Sequence, residues 1–166
     1  MGDLKHLKAA KESTTIPVLR KDFIIDEAQI YESRIAGADA ILLIVRILSN
    51  DELKKFIKLA QELDMGSLVE VHTADEAARA HSAGAEIIGI NNRDLSDFKV
   101  DINTTINILK SMPELKDRII VSESGIESGK DVKLLADAGV DAVLAGEGIL
   151  RSRDIGEKVR KLLNRA

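Results

Sequence analysis

Three words in this chain share one grammar: "GADAILLI" beginning at Gly37, "GAEIIGI" at Gly84 and "GVDAVLA" at Gly139. In each, a glycine closes a stretch of helical periodicity, at the position where a left-handed residue ends a helix. A short run of nearly unbroken apolar residues follows it. A run without apolar and polar alternation is apolar on both faces, which suits a parallel strand covered by helices. The chain is therefore expected to repeat strand–helix units of about 25 residues.

Six such strands are expected, at residues 18–19, 40–45, 67–71, 87–90, 119–121 and 142–145. Between the second and third, "SNDELKKFIKLAQELD" places Leu53, Phe56, Ile57, Ala60 and Leu63 on one helical face, and Ser49 with Glu52 forms a capping box. Thr73 with Glu76, Ser128 with Asp131 and Asp154 with Glu157 repeat that start signal or its near relatives. Right-handed crossovers between parallel strands leave either a doubly wound open sheet or a barrel. An open sheet concentrates its chemistry at one switch point, whereas a barrel draws polar residues from the C-terminal ends of most strands. Five of the six strands run into such residues: Lys21; Glu70 with His72; Asn91 with Arg93; Glu123 with Ser124; Gly146 with Glu147. The distribution favours an α/β chain of the (β/α) TIM-barrel type. A full eight-unit barrel takes about 250 residues. At 166 residues the expectation is a single partial barrel domain over residues 1–166, truncated to about six units.

Composition narrows the partners. The formal net charge is −4, and Lys and Arg alternate with Asp and Glu along the helical stretches, so no basic stripe offers itself to nucleic acid. The absence of cysteine excludes disulfides, thiolate zinc sites and a cysteine nucleophile. The opening "MGDLKHLKAA" has no signal-peptide core, and His6 stands where a myristoylation pattern needs Ser or Thr. The longest apolar run, around residues 40–45, is far short of a membrane span. A cytoplasmic location is the default expectation.

Several strand ends carry candidate chemistry, each with a plainer alternative. Lys21 follows a buried strand between Arg20 and Asp22. A desolvated lysine beside another cation is a usable proton donor, while Asp22 would hold it charged, and a solvated strand-end lysine is the plain alternative. Glu70 and His72 share one strand face, with Val69 and Val71 on the other. A lumen-facing Glu70 suits acid–base work, and the Glu/His pair has no evident third ligand to make a metal site. His6 and His81 lie in charged helical contexts and are expected at the surface. In "GINNRDL", Asn91, Asn92, Arg93 and Asp94 offer amides and a guanidinium for hydroxyl and carboxylate recognition, or an Asx-rich loop whose side chains satisfy backbone groups. "SESGI" and "AGEGI" place glycine between strand and helix, where backbone N–H groups aided by helix N-termini cradle phosphate, or simply make a tight turn.

Taken in order, "LRKDFIID", "GADAILLIVRIL", "LVEVH", "IGINNRDL", "VSESGI" and "AVLAGEGIL" resemble the indole-3-glycerol phosphate synthase family over essentially the whole chain. The resemblance implies an eight-unit barrel that closes the indole ring of 1-(2-carboxyphenylamino)-1-deoxyribulose 5-phosphate, releasing carbon dioxide and water without an organic cofactor or metal. It implies that Lys21 is the general acid, that Glu70 transfers protons, and that Asn91, Arg93 and Glu123 orient the substrate. Ser124, Gly125 and Gly146 match phosphate loops, and Phe23, Leu42 and Leu95 match apolar positions around the anthranilate ring. Glu147 stands where the matched motif has a small hydroxyl, so a phosphate contact there is expected through backbone N–H. The resemblance also implies an N-terminal extension and two strand–helix units ahead of "IPVLRKDF", with a further lysine, glutamate and phosphate-binding serine. A six-unit fragment is expected to expose edge strands at Val18 and Ala142, and to self-associate or be complemented by the missing part.

Overall fold

A computed structural model of the chain describes residues 3–94 and 98–163. Strands β1 (Leu19–Arg20), β2 (Ala40–Ile44), β3 (Gly66–Val71), β4 (Ile87–Asn91), β5 (Ile119–Glu123) and β6 (Ala142–Leu144) alternate with helices. The helices are α1 (Leu4–Ser13), α2 (Glu27–Ile35), α3 (Asn50–Glu62), α4 (Ala74–Ser82), α5 (Asn103–Ser111), α6 (Gly129–Asp137), α7 (Glu147–Leu150) and α8 (Ile155–Leu162). All six expected strands form. Their ends differ: β1 takes in Arg20, β4 reaches Asn91 and β5 reaches Glu123. Apolar content stops a strand at its first polar residue, but the ladder is made by the backbone and continues while a neighbour offers partners.

The chain resolves into two compact units, one of Met1–Glu70 with Arg79–Ile87, the other of Val71–Ala78 with Ile88–Ala166. In the first, the strands are ordered β1-β2-β3 and run parallel. Leu19 pairs with Ala40 and Arg20 with Ile41; Leu42 pairs with Leu68 and Ile44 with Glu70. Ile30, Ile41, Leu43, Val45 and Leu53 are fully buried in this unit. α3 presents the expected apolar face, with Leu53, Phe56, Ile57 and Ala60 buried and Leu63 half-buried, and Ser49 and Glu52 form the capping box at its start. In the second unit the order is β4-β5-β6. Ile88, Ile90, Leu115, Ile120 and Leu135 are fully buried there, and Ile126, Leu135 and Leu162 form a core lined by Val132, Val143 and Ile149.

The glycine stops behave as the sequence implies. Gly37, Gly84 and Gly139 have φ of +87°, +86° and +95°, a region that L-residues avoid. Two start signals become full capping boxes, Ser49 with Glu52 and Ser128 with Asp131. The Thr73 start carries one half of such a box together with a bond to the residue before it. The Thr73 hydroxyl accepts from the Glu76 N–H at 3.1 Å, while the Glu76 carboxylate accepts from the His72 N–H at 2.7 Å.

Asp39, two residues past Gly37, ties the first unit together. Its two carboxylate oxygens each accept from Lys11 Nζ at 2.8 Å, and Oδ2 also accepts the Val18 N–H at 2.7 Å. The bond from Lys11, reinforced by the one from Val18, holds the Asp39 carboxyl below its ordinary value of 3.8. A carboxyl depressed on folding stabilises fully above its unfolded value and loses that contribution as pH falls through the folded one. Urea unfolding of the chain and of Asp39→Asn from pH 6 down to pH 2 tests this. The stability gap between them is expected to be constant above about pH 4.5 and to close below the ordinary carboxylate value.

Candidate functional site

In the first unit, residues paired across a parallel ladder share a face, and side chains alternate along each strand. Leu19 lies level with Ala40 and Ile44 level with Glu70, so Leu19, Leu42, Leu68 and Glu70 point to one side. Lys21, two residues past Leu19, continues that side just beyond the end of β1. The alternation explains the pair it makes: Lys21 Nζ donates to Glu70 Oε2 at 3.0 Å. The Glu70 side chain is 4% exposed, against 42% for Lys21, so a buried carboxylate meets an ammonium that solvent still reaches. Arg20 points the other way. It is buried against α2, where Nη1 donates to the Gln29 carbonyl at 2.8 Å and to Ser33 Oγ at 3.0 Å, and its Nη2 is 3.2 Å from Asp22. Asp22 thus serves Arg20, and Lys21 goes to Glu70. Leu42 is 2% exposed in the middle of β2, while Phe23 is 64% exposed beyond β1.

In the second unit, Asn91 and Glu123 close β4 and β5 and are both buried. Asn91 Oδ1 accepts the Arg93 N–H at 3.0 Å, the Asx geometry that the plainer reading of "GINNRDL" calls for. The Arg93 guanidinium is placed by Glu147, with Nη2 at 2.7 Å from Oε2. The other Glu147 oxygen is 2.8 Å from Arg151 Nη2, so this carboxylate is engaged by two guanidinium groups. The chain on either side of residues 95–97 doubles back, with Arg93 bridging Val100 in antiparallel fashion and the Asp94 N–H donating to the Lys99 carbonyl at 2.8 Å. Leu95 lies outside the described residues. His72 faces α4, with Nδ1 3.2 Å from Glu76 Oε2; His6 is exposed and His81 half-buried.

The two glycine loops are built differently. α6 begins at Gly129, four residues past Gly125, and a capping box of Ser128 with Asp131 forms at its start. Asp131 Oδ2 accepts from the Glu127 N–H at 3.1 Å, the Ser128 N–H at 2.8 Å and the Ser128 hydroxyl at 2.9 Å. Burial raises the Asp131 pKa, but the bonds from the Ser128 hydroxyl and the two N–H groups outweigh it and hold the carboxyl below its ordinary value. The capping box thus engages the N–H groups of Glu127, Ser128 and Asp131 at the start of α6. In the turn ahead of it, Ser124 and Gly125 have φ of +67° and +76°. Gly146 caps α7 at φ −96°, and α7 is a single four-residue turn.

The side chain to which the family resemblance gave no role is Asn92. It is 2% exposed, bonded to Ser122, Ser124 and Thr105. The signal was available in the alternation: if Asn91 ends β4 toward one side, Asn92 must turn to the other.

The family model for indole-3-glycerol phosphate synthase matches residues 1–162. The chain belongs to the indole-3-glycerol phosphate synthase family. It is 54% identical over 160 residues to the indole-3-glycerol phosphate synthase of Acetivibrio thermocellus, covering 96% of this chain and 61% of that protein. To the protein of the same name from Chloroherpeton thalassium it is 55% identical over 151 residues, 91% of this chain and 57% of that one. The chain thus spans about three-fifths of the length of these curated synthase relatives. Among solved structures, it is similar to KGPDC from Streptococcus mutans, with a TM-score of 0.75 at 16% identity over 96% of this chain and 76% of that one. It is also similar to a 3-hexulose-6-phosphate synthase, with a TM-score of 0.79 at 18% identity over 98% and 80%. At those identities the likeness carries the fold alone, parallel strands and helices in the manner of a TIM barrel. No helix among the described residues is long and apolar enough to cross a membrane.

Gly125 offers a direct check on the turn geometry of this synthase-family chain. A Cβ there would overlap Val100 Cγ1, and the positive φ would strain any L side chain. Gly125→Ala is expected to cost about 1–3 kcal/mol in urea unfolding. Adding Val100→Ala is expected to recover only the steric part, leaving the backbone cost in place.

Proposed function

We propose that this chain carries the acid–base pair and substrate-orienting residues of an indole-3-glycerol phosphate synthase. The observation that carries the reading is the bond from Lys21 to Glu70, an ammonium and a buried carboxylate 3.0 Å apart at the ends of β1 and β3. Such a pair suits a reaction that needs a proton delivered and then recovered. In ring closure, the aromatic carbon bearing the carboxylate attacks the ribulose carbonyl carbon as Lys21 protonates the carbonyl oxygen. Loss of carbon dioxide returns an electron pair to the ring, and a second protonation releases the hydroxyl as water. Glu70 takes the proton lost from the ring carbon next to nitrogen as the double bond forms and returns it to Lys21, and solvent supplies the second proton, so no cofactor is consumed. Asn91, Arg93 and Glu123 orient the substrate, Phe23, Leu42 and Leu95 surround its anthranilate ring, and Ser124, Gly125, Gly146 and the Glu147 backbone take the phosphate. Support for those roles comes from family membership and, for Leu42, Asn91 and Glu123, from their places on β2, β4 and β5.

The test is indole-product fluorescence with 1-(2-carboxyphenylamino)-1-deoxyribulose 5-phosphate, run on this chain alone and with the N-terminal part of a full-length family member supplied in trans. Turnover in either arm that falls roughly 10²–10⁴-fold in Lys21→Ala supports the reading. Turnover indifferent to Lys21 removes it.

A second reading, a phosphate-binding module that self-associates, is favoured by the apolar surface around β1, where Ile16 is 70% and Ile25 62% exposed. Exposed apolar groups beside a strand edge invite another chain. Sedimentation velocity is expected to show concentration-dependent association that Ile16→Lys with Ile25→Lys abolishes. A monomer across the accessible range removes this reading.

A further inference from the structure

We infer that Asn92 is a positioning residue that holds the Ser124–Gly125 turn in the shape that takes a phosphate group. The inference rests on the phosphate reading of that turn given above.

An asparagine amide has two donor and two acceptor positions, and all four are filled here. Oδ1 accepts the Thr105 N–H at 3.2 Å and the Thr105 hydroxyl at 2.8 Å. Nδ2 donates to Ser122 Oγ at 2.9 Å and to the Ser124 carbonyl at 3.0 Å. Ser122 Oγ and Thr105 Oγ1 are 2.9 Å apart. Because the Thr105 hydroxyl gives its hydrogen to Asn92, Ser122 must give its own to Thr105. The three side chains then form a closed ring in which each donates to the next, an arrangement whose members polarise one another. The ring also fixes the amide, since turning it over would set Nδ2 against the Thr105 N–H. Asn92, Thr105 and Ser122 are all buried, so water does not compete.

The ring lies under one particular carbonyl. Ser124 is a non-glycine residue at φ +67°, a conformation that persists only where its surroundings hold it. Two contacts fasten it: its N–H donates to the Leu144 carbonyl at 3.4 Å, and its carbonyl accepts from Asn92 Nδ2 at 3.0 Å. The Asn92 backbone fixes the same region from the other end of the residue. Its N–H donates to the Glu123 carbonyl at 2.9 Å, and its carbonyl accepts from the Asp101 N–H at 3.0 Å. The turn's own geometry decides how its groups meet an anion, and Asn92 sets that geometry.

The test is NMR titration of the full chain with inorganic phosphate, following the Ser124 and Gly125 amides and the Asn92 Nδ2 protons. Asn92→Asp keeps the acceptor that Thr105 needs but loses the donor, and sets an oxygen against the Ser124 carbonyl. It is expected to weaken phosphate binding at least tenfold, whereas Leu162→Ala, a destabilising change in the same unit's core, leaves the affinity unaltered. Equal affinity in Asn92→Asp and the unsubstituted chain overturns the inference while leaving the phosphate reading intact, and an equal loss in Leu162→Ala overturns it as general loosening. Should Asn92→Asp fail to fold, the unsubstituted chain still decides: Asn92 Nδ2 is expected to respond with the same affinity as Gly125, and its silence while Gly125 shifts overturns the inference. No phosphate response anywhere in the turn overturns the phosphate reading, and this inference with it.

Discussion

Side chains leave a strand alternately to its two faces, and in a parallel strand covered on both, every polar side chain that is buried must find its own partner. That constraint organises the polar ends of the strands in both units. At β1 it separates two adjacent cations: Arg20 turns under α2, to Gln29 and Ser33, while Lys21 turns to the face that Glu70 occupies. At β4 it separates two adjacent amides, with Asn91 accepting the Arg93 N–H and Asn92 turned toward Thr105 at the start of α5. A buried polar group without a partner costs far more than a hydrogen bond returns, so each arrangement is held by the penalty of losing it.

Within this frame the helix starts do local work. At α6, Ser128 and Asp131 each accept the other's backbone N–H. At the Thr73 start, the Glu76 carboxylate accepts the His72 N–H and lies 3.2 Å from its ring Nδ1, immediately after β3. Asp39 likewise joins Lys11 of α1 to the Val18 N–H ahead of β1. Asp141, two residues past Gly139, does the same in the second unit, where its Oδ2 accepts the Ile120 N–H at 2.8 Å.

Much of this is legible in the sequence. The glycine stops, the apolar runs and the capping boxes located all six strands, because each signal is local: a positive φ, an unalternated apolar run, a hydroxyl three residues before an acid. β4 and β5 run beyond their apolar content, because the ladder continues through polar Asn91 and Glu123, which by composition resemble loop residues. Motifs named Lys21, Glu70, Asn91, Arg93 and Glu123. They did not reveal that Asp22 would be taken by Arg20, or that Glu147 would reach Arg93 across 54 positions of sequence.

The sequence by itself determined the order of the elements, the family and the residue types at each strand end, since these follow from short-range periodicity and from motifs. The partners were decided by tertiary structure alone. Whether an asparagine serves a ligand or a neighbouring turn depends on which distant groups the strand register brings to its face. For Asn92 those groups are Thr105, Ser122 and the Ser124 carbonyl, between 13 and 32 positions away. No local pattern encodes that meeting, because it exists only once β4, β5 and α5 have packed.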